Sequence, residues 1–212
     1  DLDTVDFSTL NGVANFISLT LDTFNDATVT VDGGTNQTIR NIENVTGTSG
    51  DDLITGDTNV NLIDGADGDD TLAGRGGADT LDGGDGSDTA SYANAAAGVD
   101  VDLDSGGAAD DGDGSTDTFI SIENVSGSAF DDMIAGDSAA NTLFGAAGVD
   151  TISGSGGDDI FIASVGSDVM DGEADSDTID YSTLAGINFI TTTLDGANNA
   201  TVTVDGGDND TI

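Results

Sequence analysis

Apolar residues recur at every ninth position in two stretches of the chain, 47–91 and 127–180. Divided into nine-residue units from Gly47 and from Gly127, these stretches contain five and six units. The eighth position is apolar in all eleven units, the sixth is Asp or Asn in all eleven, and the first is Gly in ten, with Ala163 as the exception. A fixed period of this kind is typical of a solenoid, in which each repeat packs on its neighbours.

Each unit predicts a tight turn followed by a short strand. Gly at the first and often the fourth position permits positive φ, so the first six residues can wind with their carbonyl oxygens pointing inward. Positions seven to nine then form a three-residue strand around one apolar side chain. A single unit cannot bury that side chain, but a stack of units can. No segment has helical periodicity, so the sequence predicts an all-β protein.

Outside the two arrays, period-two alternation predicts short antiparallel strands, as at 17–21, 28–31 and 99–103. The sequence Ile-Glu-Asn-Val precedes each array, and an aromatic residue follows each one. Because a whole module recurs and both ends of the sequence fall within repeats, we expect a piece of a longer tandem protein. The predicted organisation is the end of an array at 1–6, a β connector at 7–46, a first array at 47–91, a connector at 92–126, a second array at 127–180 and the start of a third connector at 181–212.

The composition excludes several classes of function. The chain has 42 acidic and two basic residues, a net charge of -40, and no His, Cys or Lys. It therefore lacks the usual general base, a thiol or amine nucleophile and an imidazole metal ligand, so we predict no enzymatic activity. Such an acidic surface repels phosphate backbones and anionic lipids, so we predict neither nucleic-acid binding nor direct membrane insertion.

The predicted partner is a cation. Turn carbonyls and carboxylates form an all-oxygen cage, which suits calcium with its six to eight oxygen ligands. Cation binding also removes the self-repulsion that opposes compaction, so metal binding and folding should be one event. The alternative is an acidic disordered linker. The in-phase apolar residues argue against this alternative for the calcium-bound chain. Without calcium, a disordered chain stays the alternative.

The eleven units resemble the RTX, or haemolysin-type, calcium-binding nonapeptide repeats, whose pattern is G-G-x-G-x-D-x-U-x with U a bulky apolar residue. The resemblance implies right-handed parallel β-roll segments, with two units per turn, alternating with short antiparallel β connectors. It also implies that calcium lies between loops of adjacent turns on the same side. Pairing each unit with the next but one gives about seven ions.

The resemblance also implies the ligands. The side-chain ligands would be Asp52, Asn61, Asp70, Asp79, Asp88, Asp132, Asn141, Asp150, Asp159, Asp168 and Asp177. The carbonyl ligands would be those of Gly65, Asp67, Gly68, Gly74, Gly76, Gly83, Asp85, Gly86, Gly154, Gly156, Gly157 and Gly166.

Several units depart from the pattern. Position two is Gly only at Gly84, so the other turns should be less ideal. We expect weaker or absent calcium at 59–61 and 139–141, where Asn replaces Asp, and the best sites at 65–88 and 154–168. The acidic segment 110–117 lacks the helices and terminal Glu of an EF-hand, which favours a solvated loop. The aromatic residues after each array are expected to cap the open end of the roll.

The resemblance implies a calcium-stiffened structural repeat of a large secreted bacterial surface protein, such as an adhesin or extracellular filament. Type I secretion and an extracellular or cell-surface location would follow, with further copies in cis and self-assembly as interactions. The alternative is an accessory or secretion domain of a type I-secreted enzyme or toxin. Ligand recognition, for example of glycans, by the connector 92–126 is a third hypothesis.

Overall fold

The chain forms an all-β structure made of short strands. The computed structural model describes residues 3–10, 16–21, 27–31, 35–184, 190–194, 200–204 and 209–211. Those residues contain no helix that is long and apolar enough to cross a membrane.

The strands follow the nine-residue units closely. Before the first array lie β1 (Thr4–Asp6), β2 (Ile17–Thr20), β3 (Ala27–Val31), β4 (Thr35–Ile39) and β5 (Asn44–Thr46). The first array contributes β6 (Leu53–Thr55), β7 (Leu62–Asp64), β8 (Thr71–Ala73), β9 (Thr80–Asp82) and β10 (Thr89–Ser91). The connector contributes β11 (Asp100–Asp102), β12 (Gly107–Asp110), β13 (Asp117–Ile120) and β14 (Asn124–Ser126). The second array contributes β15 (Met133–Ala135), β16 (Thr142–Phe144), β17 (Thr151–Ser153), β18 (Ile160–Ile162), β19 (Val169–Asp171) and β20 (Thr178–Asp180), and the last strands are β21 (Ile190–Leu194), β22 (Ala200–Val204) and β23 (Asn209–Thr211).

Successive units alternate between two parallel sheets. In the first array β5, β7 and β9 pair in one sheet, and β6, β8 and β10 pair in the other. Each strand pairs with the strand of the next unit but one, as in Ile54 opposite Leu72 and Ile63 opposite Leu81. Two units therefore make one turn of a parallel β-roll. The predicted all-β roll with antiparallel connector strands is confirmed.

The apolar eighth positions form the core between the two sheets. Ten of the eleven are at most 2% exposed: Ile54, Ile63, Leu72, Leu81, Ala90, Ile134, Leu143, Ile152, Phe161 and Met170. Ile179, in the last unit, is partly buried against them. Burying a Leu or Ile side chain contributes about 1.5–3 kcal/mol. The stack of these side chains is therefore a main source of stability for the roll.

The connector is built into the same two sheets. In the 10-stranded sheet, β10 pairs directly and in parallel with β14, which continues to β16. In the 13-stranded sheet, β13, β12 and β11 lie in antiparallel order between β9 and β15. The outer two of these three strands, β13 and β11, pair in parallel with the arrays. The hydrogen-bonded ladders thus run from one array through the connector to the next.

The aromatic residue that follows the first array does not lie at an open end of the roll. Tyr92, predicted to cap an open end, instead lies inside the core at 3% exposure, between the two arrays. That prediction is wrong for Tyr92, because β14 continues the stack beyond β10. Parts of the predicted connectors, at 11–15, 22–26, 32–34, 185–189, 195–199, 205–208 and 212, lie outside the described residues.

Candidate metal centre

The sixth-position side chains line the two edges of the roll, where the chain turns from one sheet to the other. All except Asp177 are buried, with at most 3% of each residue exposed. The backbone N–H of one sixth-position residue donates to Oδ1 of the sixth-position residue in the next unit but one. The structure brings together in this way Asp52 with Asp70, Asn61 with Asp79, Asp70 with Asp88, Asp132 with Asp150, Asn141 with Asp159, Asp150 with Asp168, and Asp159 with Asp177, at 2.7–3.1 Å.

The eleven turns fall into two classes according to their second position. In five turns the second residue hydrogen-bonds back to the sixth side chain. The N–H of Ser128 donates to Oδ2 of Asp132 at 2.7 Å, and the hydroxyl of Ser164 donates to Oδ2 of Asp168 at 3.0 Å. The others are the turns that begin at Gly47, Gly56 and Gly136. In this closed class the sixth side chain is satisfied within its own turn.

In the other six turns the second residue has a left-handed backbone. These residues are Ala66, Arg75, Gly84, Ala146, Ser155 and Glu173, with φ between 61° and 96°. Five of them are not Gly and still adopt the conformation, at a cost of about 1 kcal/mol each. The fourth residue of each of these turns also has positive φ. Replacement of Gly at position two therefore leaves the backbone of this open class unchanged.

The open turns leave a buried carboxylate oxygen without a hydrogen-bond donor. Within the described residues, Oδ2 has no partner in Asp70, Asp79, Asp88, Asp150 and Asp159. Each of these five carboxylates belongs to an open turn. An unpartnered buried carboxylate oxygen is costly, and a bound cation is one of the few arrangements that removes the cost. The open turns therefore have the chemistry of a metal site.

Glycine at position one creates the space that these oxygens face. A Cβ on Gly65 would overlap Oδ2 of Asp70 and would lie 2.8 Å from the carbonyl oxygen of Gly83. Gly154 has the same environment, made by Asp159 and the carbonyl oxygen of Gly172. A carboxylate of one turn and a carbonyl of the next turn on that edge thus converge on one space. Oxygen donors of this kind fit calcium.

Four of the twelve predicted carbonyl ligands, those of Gly65, Gly74, Gly83 and Gly154, lie beside the first-position Gly of the preceding turn on the same edge. Of these four, Gly83 lies beside an open turn, the one that begins at Gly65. The other three lie beside the closed turns that begin at Gly47, Gly56 and Gly136. The carbonyl of Asp85 instead accepts the N–H of Gly68 at 2.9 Å. Residues 67 and 85 form a parallel bridge, so part of the loop is used to join turns. The carbonyl of Gly83 is therefore the best placed of the four.

Asn at position six changes the hydrogen bonding of its turn. Nδ2 of Asn61 donates to the carbonyl of Glu43 at 3.0 Å, and Nδ2 of Asn141 donates to the carbonyl of Glu123 at 2.8 Å. Both Oδ1 atoms accept an N–H from position two of the same turn. These amides are satisfied and leave no bare oxygen.

Burial raises the pKa of the unpartnered carboxylates. It raises the pKa of Asp70 and of Asp79 to about 7, and that of Asp150 to about 6, with smaller contributions from neighbouring Asp residues. Without a cation, their ionised forms oppose folding. By linkage, the stability from the neutral form is fully present below the unfolded pKa near 4 and is lost as the pH rises through 6 to 7. At neutral pH a bound cation would offset the cost of the ionised forms.

Two acidic residues of the connector join these ladders, and a third, Asp111, is buried in the same connector. The N–H of Asp79 donates to Oδ1 of Asp117, and the N–H of Asp88 donates to Oε2 of Glu123. Asp117 and Asp111 are 5% and 0% exposed, so the prediction of a solvated loop at 110–117 is wrong for both. The sequence contains a signal for two of the three. Asp117 begins Asp-Thr-Phe-Ile and Glu123 begins Glu-Asn-Val-Ser, which match positions six to nine of a unit.

The described residues contain no group of three or more His, Cys, Asp or Glu side chains arranged to hold a metal by themselves. This agrees with the geometry of the open turns, in which each space combines one carboxylate with backbone carbonyls. Any cation bound there depends on correct stacking of the turns.

The model of the RTX calcium-binding nonapeptide repeat matches four segments of the chain, 41–72, 55–90, 126–161 and 153–182, which together cover half of it. The chain belongs to the RTX calcium-binding repeat family. The predicted resemblance is confirmed. No curated protein sequence matches the RTX chain.

Among solved structures, the RTX chain is similar to an extracellular lipase, LipA from Serratia marcescens. The identity is 21% and the TM-score is 0.35. The match covers 79% of this chain and 37% of the lipase, so this chain spans well under half of that protein.

Replacing the first-position Gly of a turn with Ala tests whether the absence of a side chain there is needed for packing. Gly65→Ala is expected to lower the melting temperature in calcium, by an overpacking cost of about 1–3 kcal/mol. The reason is the overlap of the new Cβ with Oδ2 of Asp70. Gly76→Ala is the matched control, because its nearest neighbour would be 3.4 Å away. Differential scanning calorimetry in calcium compares the two variants, and equal shifts would contradict this account of the space.

Proposed function

We propose that this chain is a calcium-stabilised structural repeat of a large secreted bacterial surface protein, an adhesin or an extracellular filament. One observation supports it above the others: buried carboxylate oxygens without donors face glycine-lined spaces in successive stacked turns. We propose about seven calcium ions, one for each of the seven pairs of sixth-position residues. Bound calcium would supply positive charge and would join the turns of adjacent layers.

The proposed ligands differ in quality. Each of the seven pairs contains at least one of Asp70, Asp79, Asp88, Asp150 and Asp159, and so offers at least one carboxylate oxygen without a hydrogen-bond donor. The Asn61 and Asn141 amides supply no charge and are already hydrogen-bonded, so their own turns contribute less. We therefore propose that the strongest binding involves the open turns.

The extracellular location and the absence of catalysis are part of the same proposal. RTX repeats occur in secreted bacterial proteins. The sequence has no His, Cys or Lys, and the whole module of array and connector recurs along it. The alternative function is an accessory or secretion domain of a type I-secreted enzyme or toxin. Further copies of the module in the full-length protein would favour the first function, and a catalytic domain beside these repeats would favour the second.

Self-assembly of the proposed filament needs a surface where two acidic chains can meet. The outer face of the 10-stranded sheet carries no charged residue across six consecutive strands, β6, β8, β10, β14, β16 and β18. Its exposed or half-buried outward residues are Leu53, Thr71, Thr89, Ser91, Ser126, Thr142, Phe144, Ile160 and Ile162, whereas Thr55, Ala73 and Asn124 on the same strands are buried. The outer face of the 13-stranded sheet carries Asp64, Asp82, Asp100, Asp102 and Asp171. In a chain of charge -40, two copies of the uncharged face can approach with the least repulsion, so we propose that a second copy packs there.

This arrangement predicts calcium-dependent self-association. Sedimentation velocity over a concentration series should show association in calcium and a monomer in chelator. Phe144→Asp, which places a charge on the uncharged face, should weaken the association at least about tenfold, equivalent to 1.4 kcal/mol. Met133→Asp is the matched control, because Met133 is 58% exposed on the other sheet. A wild-type chain that stays monomeric in calcium, or equal weakening by both variants, would contradict the assembly role.

A further inference from the structure

On one edge of the first array, the last turn is 74–79, and no nonapeptide follows for it to pair with. On the edge that carries Asp79, the place of the next sixth-position residue falls in the connector. The N–H of Asp79 donates instead to Oδ1 of Asp117 at 3.1 Å, and the N–H of Thr118 donates to the carbonyl of Asp79 at 2.9 Å. β13 thus pairs with β9 as a repeat strand would. The loop before β13 takes the place of the missing turn.

Asp111 in this loop is fully buried, and one of its two carboxylate oxygens has no hydrogen-bond partner. Its Oδ1 accepts the N–H groups of Asp113 and Ser115, each at 2.8 Å. Its Oδ2 has no hydrogen-bond partner, and the residue is 0% exposed. A loop carboxylate could turn to solvent at little cost, but this one is fixed in the interior by two N–H donors.

A second bare oxygen lies on the facing turn. Oδ2 of Asp79 is also buried and unpartnered. The two elements are in contact, since a Cβ on Gly76 would lie 3.4 Å from Cβ of Asp113. The hydrogen bond from the N–H of Asp79 to Asp117 also places Asp79 beside the loop that holds Asp111. Both carboxylate oxygens of Asp117 already accept a hydrogen bond, Oδ1 from the N–H of Asp79 and Oδ2 from the hydroxyl of Tyr92 at 2.9 Å.

We propose that Oδ2 of Asp79 and Oδ2 of Asp111 bind a divalent cation of the calcium type between the connector and the turn 74–79, the last turn of the first array on this edge. Two buried carboxylate oxygens and the nearby backbone carbonyls form a hard, all-oxygen donor set. This site is additional to the seven between repeats, and it rests on the proposed calcium function. It carries the row of ions along this edge across the junction between array and connector.

Tyr92 makes the site observable by itself. The chain has two Tyr and no Trp, so in a Tyr181→Phe background Tyr92 is the one sensitiser of terbium emission. Tyr92 and Asp111 line the same small cavity. Terbium bound between Asp79 and Asp111 should therefore emit on tyrosine excitation. Asp111→Asn should remove most of this emission, and calcium counted by native mass spectrometry should fall by one ion per chain.

Asp110→Asn is the matched control, because Asp110 is the exposed neighbour in the same loop. It should keep both the emission and the ion count. Retention of both by Asp111→Asn would overturn the proposal. Loss of all calcium together with the β spectrum in Asp111→Asn would also overturn it. A wild-type chain that binds no calcium would instead contradict the proposed function.

Discussion

Adding millimolar calcium to the chain in chelator is expected to change its far-UV circular dichroism from coil to β, and excess chelator should reverse the change. The metal-free chain carries a net charge of -40, and its open turns hold five buried carboxylate oxygens without donors. Each site filled at about one hundred times its Kd adds about 2.7 kcal/mol of stability. Several sites together therefore match or exceed the roughly 5–15 kcal/mol that separates a folded domain from its unfolded chain.

A pH series in chelator provides the control for this first prediction. Because burial raises the pKa of Asp70, Asp79 and Asp150, acidification from pH 8 towards pH 5 should recover part of the β signal without metal. Calcium and protons would then act on the same carboxylates. A β spectrum that is insensitive to chelator at neutral pH would contradict metal-coupled folding.

Asp70→Asn is expected to lower calcium affinity more than any other single change in the first array. Asp70 belongs to two of the proposed pairs, and its Oδ1 already accepts the N–H of Asp52. An Asn would keep that bond and would point an NH₂ group, which cannot bind calcium, into the space beside Gly65. We expect a loss of at least about tenfold, or 1.4 kcal/mol, for the ions that it contacts. Isothermal titration with calcium measures the change.

Two variants serve as comparisons for Asp70→Asn. Asp85→Asn removes the same charge from an exposed side chain in the neighbouring turn and should leave affinity nearly unchanged. Asp52→Asn should have an intermediate effect, because Asp52 belongs to one pair and its oxygens already accept donors from Thr48 and Ile17. Equal losses in Asp70→Asn and Asp52→Asn would argue against the pairing of each unit with the next but one.

The nine-residue period made much of this fold predictable. Gly at position one, Asp or Asn at six and an apolar residue at eight are each set by local chemistry, which repeats with the sequence. The buried column from Ile54 to Met170 and the strand at positions seven to nine follow from that pattern. The seven contacts between sixth-position residues likewise follow from two units per turn. Each unit carries the same residues at positions one, six and eight, so one sequence is enough to predict the structure that all the units share.

The class of each turn was less predictable. Position two is not Gly in five of the six open turns, so composition alone makes Ala66 or Arg75 look unsuited to a left-handed backbone. Stacking on the neighbouring turns holds that conformation against its intrinsic cost. Turns with Ser or Thr at position two divide between the classes, since Ser128 closes its turn whereas Ser155 does not.

The sequence by itself determined the nine-residue period, the core column and the column of sixth-position carboxylates, because these depend on contacts that recur with every turn, and the resemblance to RTX repeats predicted the β-roll. Only the tertiary structure decided that the connector completes both ladders, with Asp117 and Glu123 in the sixth-position role and Asp111 buried behind them. Those contacts join residues 35 or more positions apart at a place where the period is broken. The local match of 117–120 and 123–126 to positions six to nine marks Asp117 and Glu123, but it does not specify their partners, which depend on how the strands pair.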